Sequence, residues 1–236
     1  MNWNQFLTSS VGRKFVMAAT GLFLIFFLIV HAYVNVNVLF TNGEENFNRA
    51  AHFMSSNVLI RTMEFGLFAG FIVHIWQGYL LARQNNAKRS QKYAINAPAQ
   101  TSPWYSRSMA VLGTLILLFL VIHLADFWTP SRFGGLQDVQ YGEFKTHNLY
   151  AKMDEVFAKE WAVIVYVLGC FSLAWHLLHG FQSAFQTLGW KHRKYAVLIE
   201  RIGVGYAVLV PLIFALMPIF MYFNIEIPLG NLTFLF

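Results

Sequence analysis

Apolar residues fall into five long stretches separated by shorter polar segments: Phe15–Phe40, Leu59–Ala82, Met109–Trp128, Trp161–Phe185 and Ile202–Phe223. Each is long enough for the roughly 20 residues that a helix needs to cross a hydrocarbon core. Backbone groups find no water partner in lipid, so each stretch is predicted to be a helix. Pro211 and Pro218 predict kinks in the last one. The tail Asn224–Phe236 is apolar but short and broken by Pro and Gly, and is expected at the membrane interface. Among the polar segments, Thr129–Lys159 is the longest and predicts a short surface helix near Asn148–Phe157. Ala97–Pro103, with Pro98 and Pro103, reads as a loop rather than a domain linker. The predicted fold class is all-α, an integral membrane bundle of five transmembrane helices, with residues 1–236 as a single domain.

Charge adds an orientation. Of the 17 lysines and arginines, eleven lie on the side of the N-terminus, so the N-terminus is expected inside and the C-terminus outside. Arg13 and Lys14 precede the first apolar run, but that run is far longer than the ~7–15 residues of a signal-peptide core, which predicts a retained span. The chain is 57% hydrophobic and 12% charged, with a mean hydropathy of +0.48, which excludes an ordinary soluble domain. The net charge of +6 then reads as a topology signal, and no nucleic-acid partner is expected. The single cysteine, Cys170, excludes an internal disulfide and a thiolate-held iron–sulfur cluster.

Four of the apolar stretches carry one central histidine each: His31, His74, His123 and His176. An ionisable side chain in lipid is costly and is a functional hypothesis by default. The first and third spans run outward and the second and fourth inward. Helical rise therefore sorts the histidines into an outer pair, His31 and His123, and an inner pair, His74 and His176, roughly 10 Å apart in height. Two stacked haems, each with two axial histidines, fit this arrangement. Glycines repeat with the histidines: Gly21 and Gly113 stand ten residues before His31 and His123, and Gly78 and Gly180 four residues after His74 and His176. A glycine one turn away shares the histidine's face and leaves room for a flat porphyrin. The plainer alternative is a histidine that only hydrogen-bonds a neighbouring helix. His179, one turn past His176, is a competing ligand. A single zinc site is a weak reading, because four histidines at two depths cannot converge on one tetrahedron.

The runs "IVHAYVNVNVLFTNGEENFNRAAHFMSS" (Ile29–Ser56), "IVHIWQGYLLA", "FLVIHLADFW" and "WHLLHGFQSAFQTLGW", with "GRKFVMAATG" near the start, resemble the di-haem cytochrome b membrane anchor of succinate dehydrogenase and fumarate reductase. The resemblance covers all five spans. It implies two haem b groups, with His31 and His123 holding the outer one and His74 and His176 the inner one; the ligand followed by Gly180 is His176 rather than His179. It also implies an iron–sulfur subunit and an FAD-containing flavoprotein subunit as partners on the cytoplasmic side, membrane lipid, a quinone (menaquinone for the di-haem type), and a place in the bacterial inner membrane. Dicarboxylate chemistry would lie in the partner subunits. Some fumarate reductases of this type carry a glutamate two residues before the fourth-span ligand, where this chain has Ala174. Without that acid, outward electron movement is the easier direction, which favours succinate dehydrogenase over a menaquinol:fumarate reductase anchor. A haem-free transporter or structural anchor is the alternative of another class.

Quinone chemistry needs protons, so Asp126, three residues past His123, and Glu64, early in the second span, are candidate quinone residues. Arg13, Lys14 and Arg107, at inner span ends, are candidates for haem propionate contacts, although lipid headgroups would serve them equally. Asn35, four residues after His31, is a candidate hydrogen-bond partner near the outer haem.

Overall fold

The computed structural model describes residues 2–88 and 108–228. A short helix α1 (Trp3–Thr8) leads into α2 (Ser10–Asn35), which ends in a 3-10 turn over Val36–Leu39. Then follow α3 (Gly43–Ser56), α4 (Val58–Lys88), α5 (Met109–His123), a π-helical turn (Leu124–Trp128) and α6 (Thr129–Phe133). A hairpin of β1 (Asp138–Tyr141) and β2 (Phe144–His147) precedes α7 (Leu149–Phe157), α8 (Glu160–Thr187) and α9 (Ala196–Tyr222). Among the described residues, five helical stretches are long and apolar enough to cross a membrane: Ser10–Leu39, Val58–Asn85, Met109–Phe133, Glu160–Thr187 and Ala196–Tyr222. These are the five spans read from the sequence, most with longer ends, and they make this a multi-pass membrane protein. Their exposed aromatic and aliphatic side chains, such as Phe26, Phe65, Trp76 and Phe171, suit a lipid solvent.

Asparagine sets several boundaries. Asn42 adopts a left-handed backbone (φ 61°) immediately before α3, a conformation that asparagine tolerates better than most residues. Asn57 ends α3, and its side-chain oxygen accepts from Leu59 N (3.0 Å) and Ile60 N (3.3 Å), starting α4. Asn148 caps α7 by accepting from Ala151 N at 2.9 Å. The α9 helix runs on through Pro211 and Pro218.

The described chain divides into two compact units, and each of the five long helices contributes a stretch to both. One unit comprises Met1–Phe27, Gly66–Leu115 and Ser172–Val208. Within it, the Tyr206 hydroxyl on α9 donates to Ile25 O on α2 at 2.7 Å, and Phe181 stacks on Phe185. The other unit comprises Leu28–Phe65, Ile116–Phe171 and Leu209–Phe236. Its core joins Val34, Phe47, Ala50, Met153, Phe157 and Tyr166 with Met217 and Met221.

This second unit contains two features absent from the sequence reading. The asparagine-rich segment after the first span is the helix α3, and Asp138–His147 is a β-hairpin with a two-residue turn at Gly142 (φ 63°), an addition to the all-α expectation. In the hairpin, Lys145 bonds Asp138 at 2.9 Å and holds that carboxyl below its ordinary range. Of the tail, Ile227 pairs with the backbone of Leu39 and Thr41, while residues 229–236 lie outside the described residues.

Candidate functional site

The four span histidines form two imidazole pairs, one in each unit. In the unit holding Gly66–Leu115, His74 of α4 faces His176 of α8, with ring centres 6.3 Å apart and planes at 65°. In the other, His31 of α2 faces His123 of α5, with ring centres 5.7 Å apart and planes at 85°. A metal–imidazole bond is about 2 Å long and the bonding nitrogen lies about 1 Å from the ring centre, so two rings bound on opposite sides of one ion have centres about 6 Å apart. Both pairs have that spacing. His176, not His179, supplies the ring that faces His74.

Neighbouring polar groups treat the four rings differently. The Thr20 hydroxyl lies 3.2 Å from His74 Nδ1. Asn35 donates to His31 O at 2.7 Å, and its amide nitrogen also meets His31 Nδ1 at 3.3 Å. A metal ion at Nε2 of His31 would require the proton on Nδ1, and Asn35 would then have to give up the second contact. Among the described residues, Nδ1 of His123 and of His176 is buried without a hydrogen-bond partner.

Glycines frame one of the pairs. A Cβ on Gly21 would lie 3.5 Å from His74 Cε1, and one on Gly113 would lie 3.8 Å from His176 Cε1. In the sequence these glycines repeat with His31 and His123, but ten residues of helix rise about 15 Å, which carries them to the level of the opposite pair. A Cβ on Gly78 would meet only Met17, and one on Gly180 would meet nothing within 4 Å. The His31–His123 pair is framed by aromatic rings: Phe119 stacks on His123 (5.7 Å, 26°), Phe127 meets it edge-on, and Phe214 lies 5.5 Å from His31. Gly169 is required here, because a Cβ on it would come 2.6 Å from Phe119.

Both acids singled out in the sequence have partners. Asp126 lies in the π-helical turn directly after His123 and accepts from the Tyr166 hydroxyl at 2.7 Å. Tyr166 itself lies among Phe119, Phe127, Phe157 and His123. Glu64 is clamped: Arg132 Nε and Nη2 donate to its two oxygens at 3.0 Å each, and Trp128 Nε1 donates at 2.6 Å. About a fifth of each charged side chain of this pair is exposed. Removing Arg132 takes two hydrogen bonds and the nearer cation from a partly buried carboxylate and leaves it Trp128 and, at 3.9 Å, Arg61. Arg132→Ala is therefore expected to destabilise the protein on the order of 1–2 kcal/mol, below the range for a fully buried pair. Thermal unfolding in detergent reads this, and adding Glu64→Gln should recover most of the loss.

Arg13 is half-buried and Lys14 exposed near the start of α2, and Arg107 lies outside the described residues. A small cavity of about 60 Å³, lined by Val38, Tyr150, Asp154 and Glu226 among others, has room for a few waters. Thr20, Tyr166 and Arg132 were not among the sequence candidates. Each acts on a partner 40 or more positions away, a distance at which spacing carries no signal. Among the described residues, no three His, Cys, Asp or Glu side chains cluster as a metal site. Compared with known proteins, the chain matches no family model, no curated protein and no solved structure.

Proposed function

We propose that the chain is the di-haem cytochrome b anchor of a succinate:quinone oxidoreductase, carrying electrons between an iron–sulfur subunit and a quinone in a bacterial cytoplasmic membrane. The observation that carries this reading is the pair of histidine pairs, one per unit, each at the ring spacing of two axial ligands on one ion. In this reading each imidazole pair would supply the protein's ligands to one haem iron, and the porphyrin would supply the rest. A bound haem would supply a one-electron iron couple, and two histidines on each iron would leave no position for oxygen, which favours electron transfer over oxygen chemistry. His31 and His123 would hold the outer group, and His74 and His176 the inner one. The excess of basic residues on the N-terminal side supports an N-terminus inside and a C-terminus outside. The FAD-containing flavoprotein is the second partner, on the cytoplasmic side with the iron–sulfur subunit.

The quinone end rests on Asp126. Quinone reduction takes up protons, and Asp126 Oδ2 already shares one with the Tyr166 hydroxyl beside His123. Glu64 is engaged by Arg132 and Trp128, which makes it a clamp in this reading. Asp126→Asn is therefore expected to slow quinone reduction by about 10²-fold or more while leaving both haem spectra intact. Unchanged turnover would remove Asp126 from the site.

Succinate oxidation is the favoured direction. Moving one charge across the membrane is worth about 2.3 kcal/mol per 100 mV, and Ala174 offers no carboxylate to offset inward electron movement. The assembly is tested by purifying the chain from its native membrane. Co-purifying flavin and iron–sulfur clusters with succinate-dependent quinone reduction support the proposal, and a chain that purifies without either contradicts it. Fumarate reduction by menaquinol with no charge movement in vesicles would reverse the direction assigned here.

A further inference from the structure

We propose that Thr20 is a positioning residue for His74: it accepts the Nδ1 proton of the imidazole and so presents Nε2 to the metal. This rests on the haem reading above. The Thr20 hydroxyl has one proton and three neighbours: Val16 O at 2.9 Å, Met17 O at 3.1 Å and His74 Nδ1 at 3.2 Å. A carbonyl oxygen only accepts, and both carbonyls lie closer than the imidazole, so we assign the proton to the helix carbonyls. The contact with His74 is then a bond only if Nδ1 carries a hydrogen and donates it. That fixes the tautomer, because a neutral imidazole with Nδ1–H has its lone pair on Nε2.

The adjacent Gly21 completes the seat, since even a Cβ there would lie 3.5 Å from His74 Cε1 and a longer side chain would crowd the ring. The facing ring has no such support among the described residues: Nδ1 of His176 is buried there without a partner. Within this pair, Thr20 is thus the described side chain that holds a ring by its far nitrogen. Such a bond orients the ligand and makes it a stronger donor to the metal. A stronger donor favours ferric over ferrous iron, so Thr20 lowers the potential of the haem on His74 and His176.

The test is a redox titration of each haem in the purified complex, for the wild type, Thr20→Val and Thr20→Ser. Valine keeps the branched shape and loses the acceptor oxygen; serine keeps the oxygen. In Thr20→Val, one haem should titrate at a higher potential, with its oxidised-to-reduced ratio shifted on the order of tenfold, or about 59 mV for one electron. The haem on His31 and His123 should titrate unchanged, which shows that the variant is folded, and Thr20→Ser should match the wild type. Loss of the one haem in Thr20→Val with retention in Thr20→Ser would also support the assignment. If Thr20→Val titrates like the wild type with both haems present, or if both variants lose the same haem, Thr20 is not positioning His74. A wild-type complex without haem would instead contradict the proposed function, and this inference would fall with it.

Discussion

Alanine at His31 or at His123 is expected to remove the same one of two b-type haem signals, and alanine at His74 or at His176 the other. The expectation follows from the pairing, in which each ring faces one partner, 5.7 Å away in one pair and 6.3 Å in the other. An iron held axially by two imidazoles loses half of its protein ligands with either change. The size of the effect is loss of a chromophore rather than a shift. Reduced-minus-oxidised spectra of the four single variants read it directly. His179→Ala serves as the control and should keep both signals, since His176 supplies the ring that faces His74. Variants that lose signals in any other combination, such as His31 with His74, would break the pairing.

Asn48→Ala is expected to open the cap formed by α3, the hairpin and α7. The Asn48 side chain is fully buried and makes three hydrogen bonds. Its amide nitrogen donates to the Tyr141 hydroxyl and to Asn148 Oδ1, both at 2.9 Å, and its oxygen accepts from Tyr150 N at 3.0 Å. One side chain therefore ties α3 to the hairpin and to the first turn of α7, where Asn148 also caps the helix. Alanine removes all three bonds and leaves the Tyr150 N–H without its partner, at a cost of about 3 kcal/mol. The local consequence is faster trypsin cleavage at Lys145 and Lys152, which stand in β2 and α7. A variant as resistant as the wild type would show that the apolar core around Phe47, Met153 and Phe157 suffices to hold the cap.

What the sequence made legible depended on the length scale of the interaction. The five spans were readable because an apolar run of membrane length is a local pattern. Their ends were less so: α9 begins at Ala196 rather than Ile202, because Glu200 and Arg201 break the apolar run while remaining good helix formers. The helix α3 was hidden by its asparagines, although Phe47 and Ala50 bury one of its faces. The hairpin carries one local signal, a glycine at its turn, in an otherwise polar segment. At the site, helical rise was enough to sort four histidines into the pairs whose rings meet. It was not enough to assign Gly21 and Gly113, which contact rings of helices other than their own. The bonds from Tyr166 to Asp126 and from Thr20 to His74 depend on side-chain placement between helices, which periodicity does not encode.

The central claim is that each histidine pair holds one haem by both axial positions. The most direct measurement is the haem content and carbon monoxide response of the purified complex in its reduced form. The account predicts two b-type haems per chain, neither of which binds carbon monoxide, because one imidazole pair would occupy both axial positions of each iron. A colourless chain, a single haem, or a reduced spectrum that shifts with carbon monoxide would contradict it.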